Sequence, residues 1–243
     1  SKLFPHIPFK NRDSLLPAIW FGKPKMVCEY KLGGSKVFHP AGIQMTADIP
    51  NEQRYENDLS TIKHHQEIGD IYQINYTHPK HYTIEGNPFN LYLSLREIAQ
   101  PLCGIYINTK NFQLLSASPE RFLKTENGHI NTYPIKGTRK RSSNLSEDKR
   151  IASELFHSEK DRAEHLMIVD LLRNDLGRIC NFGTIETNNL YKIESFETVH
   201  HMVTEVKGKL NSNISESSII SALFPGGSIT GAPKERAMEI IDS

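Results

Sequence analysis

An α+β fold built mainly from antiparallel sheet is what this sequence predicts, on three observations. Apolar residues recur at helical spacing in some stretches and alternate in others, and the two kinds come in mixed blocks without strict strand–helix–strand order. Asn127-Gly128, a dipeptide favoured in tight hairpin turns, joins two candidate strands, 121–126 and 129–133. The long, mostly alternating segment 196–210 reads as an extended strand.

Residues 1–50 hold scattered Pro and Gly with short apolar stretches at 18–21 and 26–30, the pattern of short strands and loops. Asn51 is placed to cap a helix whose apolar positions Tyr55, Leu59 and Ile62 lead to Gly69, a helix stop. Segment 70–77 reads as a strand. Asn87-Pro88 then opens a second helix, with Leu91, Leu95 and Ile98 at helical spacing. Strands are expected at 102–108 and 112–116, followed by the hairpin, which runs into Pro134-Ile135-Lys136-Gly137-Thr138. Residues 146–177 return to helix. Ser158 and Asp161 have capping-box spacing, Gly177 supplies a stop, and the apolar run 166–169 with Leu171-Leu172 predicts a buried helix. After the strand 196–210, a helix is expected at 215–224, then a loop 225–231, then a helix opening at Ala232-Pro233.

The charge is nearly balanced, 29 Lys+Arg against 28 Asp+Glu, so no field exists to hold a nucleic-acid backbone or an anionic membrane. Cys28, Cys103 and Cys180 are too few and too far apart for a zinc pattern, and their odd number argues against a disulfide framework. No apolar run approaches the roughly 20 residues of a membrane helix, and residues 1–9 lack the order of a signal peptide. A soluble, cytoplasmic protein is expected.

Several residues could carry chemistry. Asp161, Glu164 and Asp175, at spacings of three and eleven, share roughly one helix face. The plain reading pairs them with Arg162, Arg173 or Arg178; the functional one makes Glu164, beside an apolar run, a ligand of a hard divalent cation. The loop 226–231 offers backbone N–H groups ahead of a helix, an arrangement that suits an anion. Ala232-Pro233 stands where a nucleotide-binding loop requires Lys then Ser or Thr, so a carboxylate is the better guest than a nucleoside triphosphate. Lys136, between Ile135 and Gly137 after a hairpin strand, is rigidly placed, and desolvation or nearby cations can turn a lysine into a nucleophile. His201 alternates with Val199 and Val203 and is expected to face the interior.

Taken together, Gly69-Asp70-Ile71-Tyr72-Gln73, Ser118-Pro119-Glu120-Arg121-Phe122, Pro134-Ile135-Lys136-Gly137-Thr138, Asp161-Arg162-Ala163-Glu164-His165 with Arg173-Asn174-Asp175-Leu176-Gly177-Arg178, His200-His201-Met202-Val203 and the segment 225–234 resemble, in order and spacing, the chorismate-binding enzymes. This family includes anthranilate, aminodeoxychorismate and isochorismate synthases. The resemblance implies a sandwich-like core of antiparallel sheets with helices packed outside, and a chorismate substrate. It makes Glu120 the general acid on the C4 hydroxyl, Glu164 a Mg2+ ligand and His201 the active-site histidine. Gly137, Thr138, Gly226, Gly227, Ser228 and Gln73 become substrate-binding residues, and Gln73 stands where isochorismate-forming relatives carry a water-activating Lys. Lys136 occupies the position of the nucleophile in aminodeoxychorismate synthases, where anthranilate synthases usually carry Ala. The resemblance thus implies amination at C4 with retention of the enolpyruvyl group, using ammonia from a glutamine amidotransferase subunit. Anthranilate synthesis and a non-catalytic binding module are the alternatives. Relatives continue past position 243 through a second magnesium-binding Glu, an Arg and a further Lys. Residues 51–243 are therefore expected to be the catalytic domain without its C-terminal part, and 1–50 the remnant of an N-terminal subdomain.

Overall fold

In chain order, the computed structural model contains β1 (Gly42–Asp48), α1 (Glu52–Glu67), β2 (Gln73–Ile74), β3 (Lys80–Glu85), α2 (Pro88–Ala99), β4 (Cys103–Asn108), β5 (Gln113–Ser118), β6 (Lys124–Glu126), β7 (His129–Thr132), β8 (Ile135–Lys140), α3 (Leu145–His157), α4 (Glu159–Gly177), β9 (Glu186–Ser195), β10 (Val199–Lys209), α5 (Glu216–Leu223), β11 (Gly231–Ala232) and α6 (Lys234–Asp242). The structure describes residues 42–48 and 52–242. The Asn51 cap, Cys28 and the short strands expected before residue 42 lie outside the described residues. Every strand pairing among the described residues is antiparallel, as predicted. Among them, no helix is long and apolar enough to cross a membrane.

The chain divides into two units, one containing 49–79 and 119–243, the other 8–48 and 80–118. In the second, β1 pairs with β3 and β4 with β5. Asn87 caps α2 as its sequence requires, its side chain accepting the Phe89 N–H at 2.9 Å. Phe89, Tyr92 and Tyr106 cluster there, with Phe89 edge-on to Tyr106 at 4.9 Å.

The first unit holds all the residues singled out for chemistry. Its five-stranded sheet centres on β10, which has β9 along one edge and β7 followed by β8 along the other. The Asn127-Gly128 turn has positive φ at both positions (51° and 73°), the geometry that matches the twist of a hairpin. Strand β9 was not anticipated from the sequence. It contains a bulge in which residues 189–191 face Thr204 alone, with Asn189 and Tyr191 at positive φ, and this breaks the alternation a strand is read from.

The predicted helix 146–177 is two helices. Ser158 ends α3 and caps α4, accepting the Asp161 N–H on its side-chain oxygen. Helix α4 buries one face, including Ile168, Val169, Leu172 and Leu176, rather than its whole circumference; Leu166 remains 41% exposed. The buried face meets Ile130, Val206, Ile179, Ile219 and Leu223 in the main core, where each large aliphatic side chain contributes about 1.5–3 kcal/mol. A smaller cluster of Ile71, Ala237 and Ile240 lies beside β2 and β11. The strand expected at 70–77 is only Gln73–Ile74, and Gly231–Ala232, expected as the end of the loop and the first residue of a helix, pairs with it as strand before α6 begins at Lys234.

Candidate active site

Strand β8 carries Lys136 because its pairing with β10 is irregular. Thr138 pairs with His201 and Ile135 with Val203, so Lys136 and Gly137 together oppose Met202. An extra residue of this kind kinks a strand and re-aims a side chain. Gly137 makes it possible: its φ is +80°, and a Cβ there would meet Leu155 Cδ1 at 2.9 Å and Asp161 Cβ at 3.2 Å. Gly137→Ala is expected to lower stability by about 2 kcal/mol, from left-handed backbone strain together with overlap against helices α3 and α4. Urea unfolding of the variant beside wild type measures it.

Three sequence-predicted residues come together around this bulge. The Ser228 hydroxyl donates to Glu120 Oε1 at 3.2 Å. Burial pushes the Glu120 carboxyl above the usual carboxylate range, while the Ser228 hydroxyl, the Lys136 charge and the Ile135 N–H pull it down. The result is a half-buried acid that holds its proton to higher pH than a solvated one, beside an ammonium.

The loop before α6 is shaped by what its glycines approach. Gly226 and Gly227 are buried, and a Cβ on Gly227 would lie 1.7 Å from Leu171 Cδ2 of α4. Ile229 and Thr230 turn their N–H groups back onto the Gly226 carbonyl. The Asn75 side chain donates to the Ser228 carbonyl at 2.8 Å. Opposite Ala232, Gln73 keeps a buried side-chain oxygen with no hydrogen-bond partner. Such an atom is costly unless a donor reaches it.

The helical carboxylates have partners other than those expected. Asp161 accepts from Arg139 at 2.7 Å, and Asp175 is paired with the buried ammonium of Lys234, with Arg178 contributing only through its charge. Arg162 instead lies over the Tyr191 ring at 4.3 Å, and Arg173 donates to Thr187. The sheet supplies these partners from across the fold, which helix spacing cannot reveal. Glu164 is half-exposed, with the Lys160 ammonium 4.0 Å away. Among the described residues, no three His, Cys, Asp or Glu side chains form a metal cluster. Magnesium commonly takes one or two carboxylates and completes its shell with water and substrate oxygens, and Glu164 fits as one of them.

His201 does not face the interior. Positions 200, 202, 203, 204, 206 and 208 of β10 are buried, and His201 is half-buried, with its Nδ1 2.9 Å from the Thr138 hydroxyl and its ring edge-on to Phe196. The interior histidine is His200, held between Ser195 (2.8 Å) and Asp148 (3.0 Å), whose carboxylate also takes Arg141. Consecutive histidines on a strand point to opposite faces, and the strand's alternation alone did not say which face was covered. A second buried histidine is His165 on α4, one of the residues that carry the family resemblance. Its Nε2 lies 2.7 Å from the Thr204 hydroxyl, and it interacts electrostatically with Lys136.

A family model described as chorismate binding enzyme matches residues 31–243. Aminodeoxychorismate synthase component 1 of Bacillus subtilis (strain 168) is 40% identical over 191 residues, which are 79% of this chain and 41% of that protein. Anthranilate synthase component 1 of Acetivibrio thermocellus is 38% identical over 200 residues, 82% of this chain and 40% of that protein. Among solved structures, anthranilate synthase component I from Streptococcus pneumoniae superposes with a TM-score of 0.72 at 29% identity, over 84% of this chain and 44% of that one. The chain thus spans about two-fifths of the length of these relatives.

Proposed function

We propose a function from the premise that this chain belongs to the chorismate-binding enzyme family: amination of chorismate at C4 by ammonia, giving 4-amino-4-deoxychorismate for para-aminobenzoate and folate synthesis. The observation that carries it is the convergence of Lys136, Glu120 and Ser228 at a bulge that Gly137 makes possible. Relatives named aminodeoxychorismate synthase component 1, at 40% identity, support the same reading.

In this reading the Lys136 amine forms a bond to C2 of chorismate, the ring double bond shifts, and the C4–oxygen bond breaks. Glu120 gives its proton to the departing oxygen, which leaves as water. Ammonia then adds at C4 and gives a proton back to the Glu120 carboxylate, the double bond shifts back, and Lys136 is released as the amine. The loop from Gly226 to Ser228 holds a substrate carboxylate, Gln73 Oε1 takes a substrate hydroxyl, and Gly137, Thr138 and His201 line the same site. Glu164 would hold magnesium, whose charge neutralises a substrate carboxylate when bound. A glutamine amidotransferase subunit is the proposed source of ammonia, and the cytoplasm the proposed setting.

The alternative, anthranilate synthesis, has relatives at 38% identity in its favour, while Lys136 argues against it. Incubating the full-length protein with chorismate, magnesium and ammonium separates the two. An aminated product without pyruvate release, and a covalent adduct mapped to Lys136 by mass spectrometry, are expected; pyruvate and a fluorescent aromatic product would overturn the proposal.

A further inference from the structure

Two neighbours fix the ring of His201. The Thr138 hydroxyl lies 2.9 Å from Nδ1, so Nε2 is the nitrogen that remains for a substrate. The Phe196 ring stands edge-on to the imidazole, with the two centroids 5.4 Å apart. Phe196 is half-buried and lies in the turn between β9 and β10. Around His201 the flanking strands place Glu194 and Lys192, bonded to each other at 2.9 Å, on β9 and Lys136 and Lys140 on β8, with Glu197 in the turn. Burial governs the titration of His201 and pushes its pKa down, against a smaller upward pull from Glu194.

The turn that carries Phe196 is held from outside itself. Its own closing bond runs from the Phe196 N–H to the Val199 carbonyl at 2.8 Å. Arg141 then donates its backbone N–H to the Thr198 carbonyl at 3.0 Å and its guanidinium to the Phe196 carbonyl at 2.9 Å. Asp148 fixes that guanidinium, taking Nε at 3.1 Å and Nη2 at 2.6 Å. The same carboxylate accepts from the Ser142 N–H at 2.9 Å and meets His200 Nε2 at 3.0 Å, while Ser195 meets His200 Nδ1 at 2.8 Å. Arg141, and after it the Ser142 N–H, hold the Asp148 carboxyl well below the usual carboxylate range. An ionised carboxylate only accepts, so His200 Nε2 is the donor. Side chains at 200 and 201 project to opposite faces of β10. A hydrogen-bonded network on one face therefore sets the backbone from which Phe196 reaches the histidine on the other.

We propose that Phe196 is a positioning residue for the amination site: held by the turn that Arg141 and Asp148 lock, its ring fixes the His201 imidazole against Thr138 and shields it from water. The proposal rests on the reading above that His201 lines the substrate site, and adds to it what sets the orientation of that ring.

The test pairs an NMR titration of the His201 ring in the free full-length protein, its signal identified with a His201→Gln variant, with steady-state kinetics on chorismate, magnesium and ammonium. In Phe196→Ala water reaches the imidazole, so the His201 pKa is expected to rise toward the ordinary histidine value. Loss of a fixed geometry is expected to lower kcat about tenfold with little change in the KM for chorismate. Phe196→Tyr, which restores the ring, is expected to return both values. Phe196→Leu keeps the apolar bulk without the ring and is expected to give a smaller shift in the same direction, which covers the case of an Ala variant that does not fold. A general loss of stability would not move the pKa of one histidine in the folded protein. Variants whose His201 titrates as in wild type, or whose turnover is unchanged, would overturn the proposal and leave the amination reading standing. A wild type inert toward chorismate and ammonium would overturn the amination reading, while the titration, made without substrate, would still decide whether Phe196 shields His201.

Discussion

Glu120→Gln is expected to reduce ammonia-dependent turnover by about 10²–10⁴-fold, the usual size of a lost general acid, with little change in the KM for chorismate. The side chain keeps its shape and can still take the Ser228 hydroxyl on its amide oxygen, so the variant isolates the proton. The pH profile sharpens the test. Burial raises the carboxyl's pKa, so the acid form persists to higher pH than in a solvated glutamate and is lost as pH rises through the raised value. Wild-type turnover should therefore fall on the alkaline side of that pKa, and the Gln variant, with nothing to titrate there, should lack that limb. A variant with wild-type rate and the same alkaline limb would remove Glu120 from the chemistry.

Lys234→Met is expected to lower stability by about 3–5 kcal/mol, because it leaves the Asp175 carboxylate buried with no ammonium beside it. The pair is enclosed, at 8% and 4% side-chain exposure, and Lys234 also donates to the Leu223 carbonyl at 3.2 Å. Burial already pushes the Asp175 carboxyl up against the pull of Lys234. In the variant that carboxyl should hold its proton near neutral pH, so part of the lost stability should return as pH falls. At roughly 2–4 °C per kcal/mol for a protein of this size, the melting temperature should drop by about 6–20 °C. The double variant Lys234→Met with Asp175→Leu removes both charges, and recovery of most of the loss would confirm that the unpaired carboxylate is the cause. An unchanged melting temperature in the single variant would show that the pair contributes nothing. Because Lys234 begins α6 directly after the glycine loop and Asp175 lies on α4, the pair ties that loop to the helix that carries Glu164 and His165.

Local chemistry explains which elements were legible. Asn87-Pro88 caps a helix, Asn127-Gly128 closes a hairpin and Ser158 starts α4 because each effect acts within a few residues. The strand β9 was missed because positive φ at Asn189 and Tyr191 interrupts its alternation, and the strand expected at 70–77 shrank to two residues because its partner among the described residues is the short segment Gly231–Ala232. At the site, the residue types and their order along the chain were readable, whereas the partners of Asp161 and Asp175 were not.

By itself, the sequence determined the antiparallel character of the fold and the family, since these reside in residue type, order and spacing. Only the tertiary structure decided that His200 rather than His201 is enclosed and that Lys234 neutralises Asp175. Those outcomes depend on strand register and on which face a helix covers, and a shift of one residue in register exchanges the two faces of a strand without altering the sequence.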